Sequence, residues 1–105
     1  MHNDFPDFTN FYSSFDSPTK HGLKGLLEQH GWTSRKESWE DFELINEWSE
    51  FNLHAYETKP ILTGTIKVPE TNYKILIELF RKANAKFIAE LYDKDHVLIY
   101  NDKTI

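Results

Sequence analysis

Apolar residues recur at two different spacings along this chain, and each spacing predicts a different element. One set recurs every three or four positions, which predicts a first helix. It comprises Leu23, Leu26, Leu27 and His30. Ser17 is expected to cap this helix with Pro18 in its first turn, because the N–H that proline lacks would have no partner there. Gly31 is expected to end the helix.

A second helix is predicted to begin at Pro69 and to end near Asn84. Two neighbouring apolar stripes run along it. They comprise Tyr73, Leu76, Ile77, Phe80 and Ala83 on the first stripe, and Ile75 and Leu79 on the second. An apolar arc this wide predicts a helix that is buried on more than one side.

Several segments instead show the alternation or the β-branched composition of strands. Residues 61–68 are mostly apolar and β-branched, and Gly64 among them indicates a bulge or a close contact with another segment. Residues 86–92 and 96–100 predict a hairpin that turns around Asp93–Asp95, since aspartate suits turn geometry.

Residues 37–57 fit both spacings. Trp39, Phe42, Ile45 and Trp48 lie three apart, as in a helix that Ser38 would cap. Alternation of apolar with polar residues, from Phe42 onwards, instead indicates strands with one face in water. We favour two strands, or one bulged strand, with a break near Asn46–Ser49.

These elements together predict an α+β fold, with an antiparallel sheet of about four to five strands and two helices packed on one face. The length of 105 residues predicts one domain over residues 1–105. Residues 1–16 alternate Phe and Tyr with small polar residues. This segment fits either a short strand or a loosely ordered aromatic arm.

Composition limits the compartment and the chemistry. The chain has no cysteine, which excludes disulfides and fits a reducing compartment. Its first residues lack the basic and apolar regions of a signal peptide, and no apolar run approaches the ~20 residues that span a bilayer. We therefore expect a cytoplasmic protein without a membrane partner.

No catalytic, metal-binding or cofactor motif is present, so no cofactor is expected. His54 and His96 fall in predicted strands and could meet across the sheet, which would suit an acid–base enzyme. Their spacing does not require this, and the expectation is that the protein is not an enzyme. No histidine pair has metal-ligand spacing. Asp93–Asp95 lacks the further oxygen donors and the glycine of a calcium loop.

Charge is distributed unevenly. The net charge is −5, yet residues 37–57 hold seven carboxylates and no lysine or arginine. Nucleic acid is an unfavourable ligand for such a chain, because a phosphate backbone requires a basic surface. A basic protein is the expected partner.

The acidic segment also carries large aromatic residues, which give affinity at protein interfaces while charges of one sign steer a partner. The predicted partner-binding residues are Trp39, Glu40, Asp41, Glu43, Glu47, Trp48, Glu50 and Tyr56. The alternative is that the acids only form the solvated face of a strand or helix, which would also protect an edge strand from aggregation.

Roughly residues 31–100 resemble small immunity proteins of bacterial toxin systems. The resemblance rests on GW at 31–32, WEDFEL at 39–44, ILTGTI at 61–66 and ELYDKDHVLIY at 90–100. It implies a cytosolic antitoxin that binds and neutralises one cognate toxin domain, which is expected to be a basic nuclease. The protein itself is expected to be a monomer or weak dimer. The alternatives are a regulatory domain, a small-ligand pocket under the second helix, and the histidine-based enzyme.

Overall fold

The computed structural model describes residues 9–104, which form one antiparallel sheet of seven strands and two helices. The strands are β1 (Phe11–Ser17), β2 (Thr33–Lys36), β3 (Phe42–Asn46), β4 (Ser49–Tyr56), β5 (Lys59–Ile66), β6 (Lys86–Tyr92) and β7 (Leu98–Lys103). The helices are α1 (Lys20–Gln29) and α2 (Pro69–Lys82). The strands lie in the order β2-β3-β4-β5-β1-β6-β7, so that β2 and β7 form the edges.

The predicted sheet of four to five strands is wrong, although the α+β class holds. One missed strand is β2, whose sequence TSRK buries no side chain. It belongs to the sheet through its backbone pairing with β3, in which Ser34 lies opposite Leu44. Residues 37–57 supply two strands, β3 and β4, separated by a turn at Glu47–Trp48. The helical interpretation of this segment is therefore wrong.

The other strand outside the predicted count is β1, for which the sequence left a short strand and a loosely ordered arm open; it lies near the middle of the sheet between β5 and β6. Phe11 and Phe15 are fully buried, whereas Ser13 is a small polar residue on the same face. The Ser13 hydroxyl donates a hydrogen bond to the Leu62 carbonyl oxygen (2.8 Å), which removes the cost of burying it. Residues 1–8 of the predicted aromatic arm lie outside the described part of the chain.

Both helices pack on one face of the sheet and enclose the core there. Its largest members include Tyr73, Phe11, Phe15, Phe51, Phe80 and Phe87. Alternate residues of each strand point to the other face, which neither helix covers. We call this the open face. On β4 it carries Glu50, Asn52, His54 and Tyr56, because Phe51 and Leu53 are buried on the helix side.

The N-cap of helix α1 lies two residues later than predicted. Ser17 pairs with Lys86 in the sheet and ends β1, so it does not cap the helix. Thr19 is the cap, and its Oγ1 accepts a hydrogen bond from the Gly22 N–H (3.1 Å). Gly31, with φ +107°, follows the helix as predicted.

Helix α2 begins at Pro69, as predicted, and a polar cluster ties it to β7. The Tyr73 hydroxyl donates to Asp102 Oδ2 and Arg81 donates to Asp102 Oδ1, both at 2.8 Å. Burial raises the pKa of the Tyr73 hydroxyl well above its ordinary value, and the hydrogen bond to Asp102 raises it further. The cluster thus holds the edge strand β7 against the helix.

Gly64 makes the close contact that its position in β5 predicts. A Cβ atom added there would lie 2.0 Å from the Glu50 carbonyl oxygen on β4, which no side chain tolerates. In the last hairpin, Asp93 Oδ1 accepts from the N–H groups of Asp95 and Val97 (2.9 and 3.0 Å). The turn therefore extends to Val97, and β7 begins two residues later than predicted.

Candidate partner-binding surface

The pairing of β3 with β4 places part of the acidic segment on the open face. Ile45 lies opposite Glu50, and Glu43 lies opposite Asn52. Because Leu44 and Phe51 are buried under the helices, these four residues point the other way. The two carboxylates are therefore presented on adjacent strands, on the face that neither helix covers.

Glu47 extends this surface at the β3–β4 turn. The turn is fixed by Asn46, whose Oδ1 accepts hydrogen bonds from the Trp48 N–H (3.0 Å) and the Ser49 hydroxyl (2.7 Å). Glu47 and Glu43 both line a depression of about 510 Å³ that reaches from this turn to β2. The carboxylates of Glu43 and Glu47 thus line the same depression.

Glu37 joins the surface at the other end of β3. The Asn52 amide faces the Glu37 carboxylate at 2.6 and 3.2 Å, and it presents its nitrogen because both of those oxygens can only accept. The N–H of Glu37 also donates to the Asp41 carbonyl oxygen (2.9 Å), which closes the β2–β3 loop. We call Glu37, Glu43, Glu47 and Glu50 the acidic strip.

Among the residues that the structure describes, one counter-charge pairs with this strip. Arg35 on β2 forms an ion pair with Glu43. Within residues 9–104, none of the other carboxylates of segment 37–57 takes part in an ion pair. Like charges on one surface repel one another, so this arrangement maintains a negative field over the open face.

Tyr56 is the last residue of β4 and lies on the same face as Glu50 and Asn52. Its side chain is 70% exposed. A ring that is open to water at the end of an acidic surface can be buried by a partner without any rearrangement of the fold. Tyr56 thus shares the open face with Glu43 and Glu50, at the end of β4 that lies away from Glu47 and the β3–β4 turn.

Trp39 is 84% exposed and lies near Lys20 and His21 of α1, on the helix side. The Lys36 ammonium lies 5.3 Å from the centre of its ring. Trp39 and Glu40 line a second depression, of about 450 Å³, together with Lys20, Lys36, His21 and Phe42. Lys20 also donates to the Glu40 carbonyl oxygen. Trp39 and Glu40 therefore lie near lysine side chains on the helix side, away from the acidic strip. Asp41 lies in the β2–β3 loop between these two regions.

Trp48 faces the core rather than the strip. Its ring packs edge-on against Trp32 with centroids 5.2 Å apart. Trp32 is buried, and its Nε1 donates to the Ser49 hydroxyl (2.8 Å), which fixes the contact. The half-buried Trp48 is therefore part of the packing between the β3–β4 turn and the core, and it is separated from Tyr56 by the length of β4.

His54 and His96 do not come together. His54 lies on β4, whereas His96 lies in the β6–β7 turn beside the Tyr92 ring. β5 and β1 separate β4 from β6, which places the two strands about 14 Å apart at the usual strand spacing. The predicted meeting of these histidines is wrong. Among the described residues, no cluster of three histidine or acidic side chains is placed to hold a metal ion.

Sequence reasoning missed Arg35 and Asn52 as members of the surface. Both are polar residues of ordinary appearance, and their roles depend on strand register: Arg35 lies opposite Glu43, and Glu43 lies opposite Asn52. A polar residue in alternation with Phe51 and Leu53 was the only signal that pointed to Asn52 on the open face.

No protein-family model matches the chain, and no curated protein or solved structure shows a significant match to it. Within residues 9–104, no helix has the length and apolar character needed to cross a membrane. The function therefore has to be inferred from the surface itself.

Proposed function

We propose that this protein binds a basic protein through the acidic strip and Tyr56, and that it acts as an immunity-type inhibitor. The observation that carries the proposal is the placement of Glu43, Glu47 and Glu50 on the open face at β3, β4 and their turn, with Arg35 as the one cation paired to them among the described residues. A face that only needed to be solvated would mix both signs of charge and so avoid self-repulsion.

The two parts of the surface have different tasks. The carboxylates act at long range and raise the rate at which a partner of opposite sign finds the face. Tyr56 acts at contact, where an aromatic ring that loses its water supplies affinity. Nucleic acid is disfavoured by the same field, because its phosphates would be repelled.

The inhibitory role rests on the resemblance of residues 31–100 to small immunity proteins. On this proposal the protein covers a functional surface of a cognate toxin domain, a basic nuclease, in the cytoplasm. It has no turnover of its own, needs no cofactor, and acts as a monomer or weak dimer. A flat charged face suits this task, since it covers a partner rather than enclosing a small substrate.

Co-expression in bacteria tests the proposal. The C-terminal domain of the protein encoded by the neighbouring gene is expressed alone and together with this protein, and growth is measured. We expect growth arrest by the domain alone and rescue by the parent protein. The variant Glu43→Gln, Glu47→Gln, Glu50→Gln should rescue poorly.

The matched control is Glu70→Gln, Glu78→Gln, Asp95→Asn, which removes the same number of charges from α2 and the β6–β7 turn. It should rescue as well as the parent. A domain that does not arrest growth, arrest that the parent does not relieve, or full rescue by the strip variant would each contradict the proposal.

A further inference from the structure

A groove between α1 and α2 lies on the helix side of the sheet, away from the acidic strip. Its floor is apolar and formed by Leu26, Ile75, Leu79 and Ala83. Its volume is about 620 Å³, within the range of small-molecule sites, which often form between helices.

The groove exists because α2 carries more apolar surface than the sheet covers. The stripe that includes Tyr73, Leu76 and Phe80 is buried in the core. The second stripe, predicted to be buried as well, is not: Ile75 is 50% exposed and Leu79 is only partly buried. Apolar area left open to water in a concave site is a source of affinity for an apolar ligand.

Two lysines and one carboxylate are the charged residues of the rim. Lys74 and Lys82 lie on either side of Glu78 along α2, and His30 lies at the end of α1. No ion pair between residues 9–104 involves Lys74, Lys82 or Glu78. In a chain with a net charge of −5, this rim is a local region of positive charge.

We propose that the groove binds a single-chain amphiphile with an anionic head, of the type of a medium-chain fatty acid. The alkyl chain lies along Ile75 and Leu79, and the carboxylate lies near Lys74 or Lys82. These two lysines are eight residues apart on α2, about 12 Å along a helix, which is comparable to the length of a medium-chain acyl group. An anionic head gains from the lysines, whereas a cationic head is repelled.

This site is independent of the proposed partner surface, because the groove lies on the helix side and the strip on the open face. The experiment therefore uses the protein alone, with dodecanoate and dodecyltrimethylammonium as probes below their micelle concentrations. The two probes share a chain length and differ in the sign of the head. Binding is measured by titration calorimetry, and its location by methyl NMR shifts of Leu26, Ile75 and Leu79.

We expect dodecanoate to bind at least about tenfold more tightly than the cationic probe, with shifts confined to those methyl groups. The variant Lys74→Gln, Lys82→Gln should lose about fivefold or more of the dodecanoate affinity. The control Lys86→Gln, Lys103→Gln, on two strands outside the groove, should change it less than twofold. Absence of binding, equal binding of the two probes, shifts elsewhere, or equal loss in the control would overturn the proposal.

Discussion

Arg35 on β2 forms an ion pair with Glu43 on β3 (Nη2–Oε1 2.5 Å). It is the one cation within residues 9–104 that neutralises a carboxylate of segment 37–57. Because the Arg35 side chain is largely exposed, the pair contributes only about 0–1 kcal/mol to stability. Its larger effect is on the field of the acidic strip, which it weakens at one position.

Removing Arg35 should therefore strengthen the strip. We predict that Arg35→Gln associates with the basic partner about two- to threefold faster at low salt, while its free energy of unfolding changes by less than about 1 kcal/mol. Lys94→Gln makes the same change in net charge in the β6–β7 turn and is the control. Stopped-flow association measures both, and an unchanged or slower rate for Arg35→Gln would count against the strip.

Trp39 and Trp48, the two tryptophans of segment 37–57, should respond differently to truncation. Trp48→Ala removes the ring that packs on Trp32 and should lower the free energy of unfolding by about 2–3 kcal/mol, less than for a fully buried tryptophan. Trp39→Ala removes a ring that is almost fully exposed and should change it by less than about 0.5 kcal/mol. Urea denaturation measures both, and similar losses would show that the ring of Trp39 is also part of the packing.

Gly64 and Gly25 form a second matched pair. Gly64→Ala would place a methyl group 2.0 Å from the Glu50 carbonyl oxygen, so we expect a loss of at least about 2–3 kcal/mol as β4 and β5 separate. Gly25→Ala meets no atom within 4 Å apart from its chain neighbours and the backbone of its own helix, and it lies inside α1, where alanine should stabilise by about 0.5–1 kcal/mol. Thermal melts of the two variants should shift in opposite directions. A stable Gly64→Ala protein would contradict the close approach of these strands.

The raised pKa of Tyr73 predicts a loss of stability at high pH. Because the hydroxyl stays protonated in the folded state above the ordinary tyrosine pKa of about 10, its contribution is complete below that pH and falls as pH rises further. Tyr73→Phe should cost about 1–3 kcal/mol at neutral pH, through the lost hydrogen bond to Asp102, and should flatten the decline above pH ~10.

Tyr100→Phe is the control for this prediction. The Tyr100 ring stacks on Tyr73 with centroids 5.5 Å apart, and the substitution keeps that ring. It should leave both the neutral-pH stability and the alkaline decline near the parent's. An equally steep decline in Tyr73→Phe would show that other groups cause it.

Local sequence patterns were sufficient to predict those elements whose own residues determine their structure. Pro69 and the apolar stripes predicted α2, and Gly64 predicted a close backbone contact, because these features depend on the residues themselves. Alternation from Phe42 onwards predicted two strands with a break near Asn46–Ser49, which β3 and β4 confirm. In contrast, β2 has no apolar signal and is a strand only because β3 lies beside it.

The candidate surface also depends on contacts between segments that no single segment reveals. Sequence proximity placed Trp39, Trp48 and Tyr56 in one segment, but strand direction separates them: Trp48 lies at one end of β4 and Tyr56 at the other. Trp48 also lies in the β3–β4 turn, outside the alternation of β4, and its ring packs on Trp32 and the core. Which acids share a face depends on register, and register is set by pairing between strands rather than by any one segment.

The association rate of the partner, measured against ionic strength, tests the central claim most directly. The parent, the variant Glu43→Gln, Glu47→Gln, Glu50→Gln, and the control Glu70→Gln, Glu78→Gln, Asp95→Asn are compared. We predict fast association of the parent at low salt that slows steeply as salt rises. The strip variant should be about tenfold slower at low salt with a flatter salt dependence, and the control within about twofold of the parent. A strip variant as fast as the parent, or a control equally slow, would show that the strip does not guide the partner.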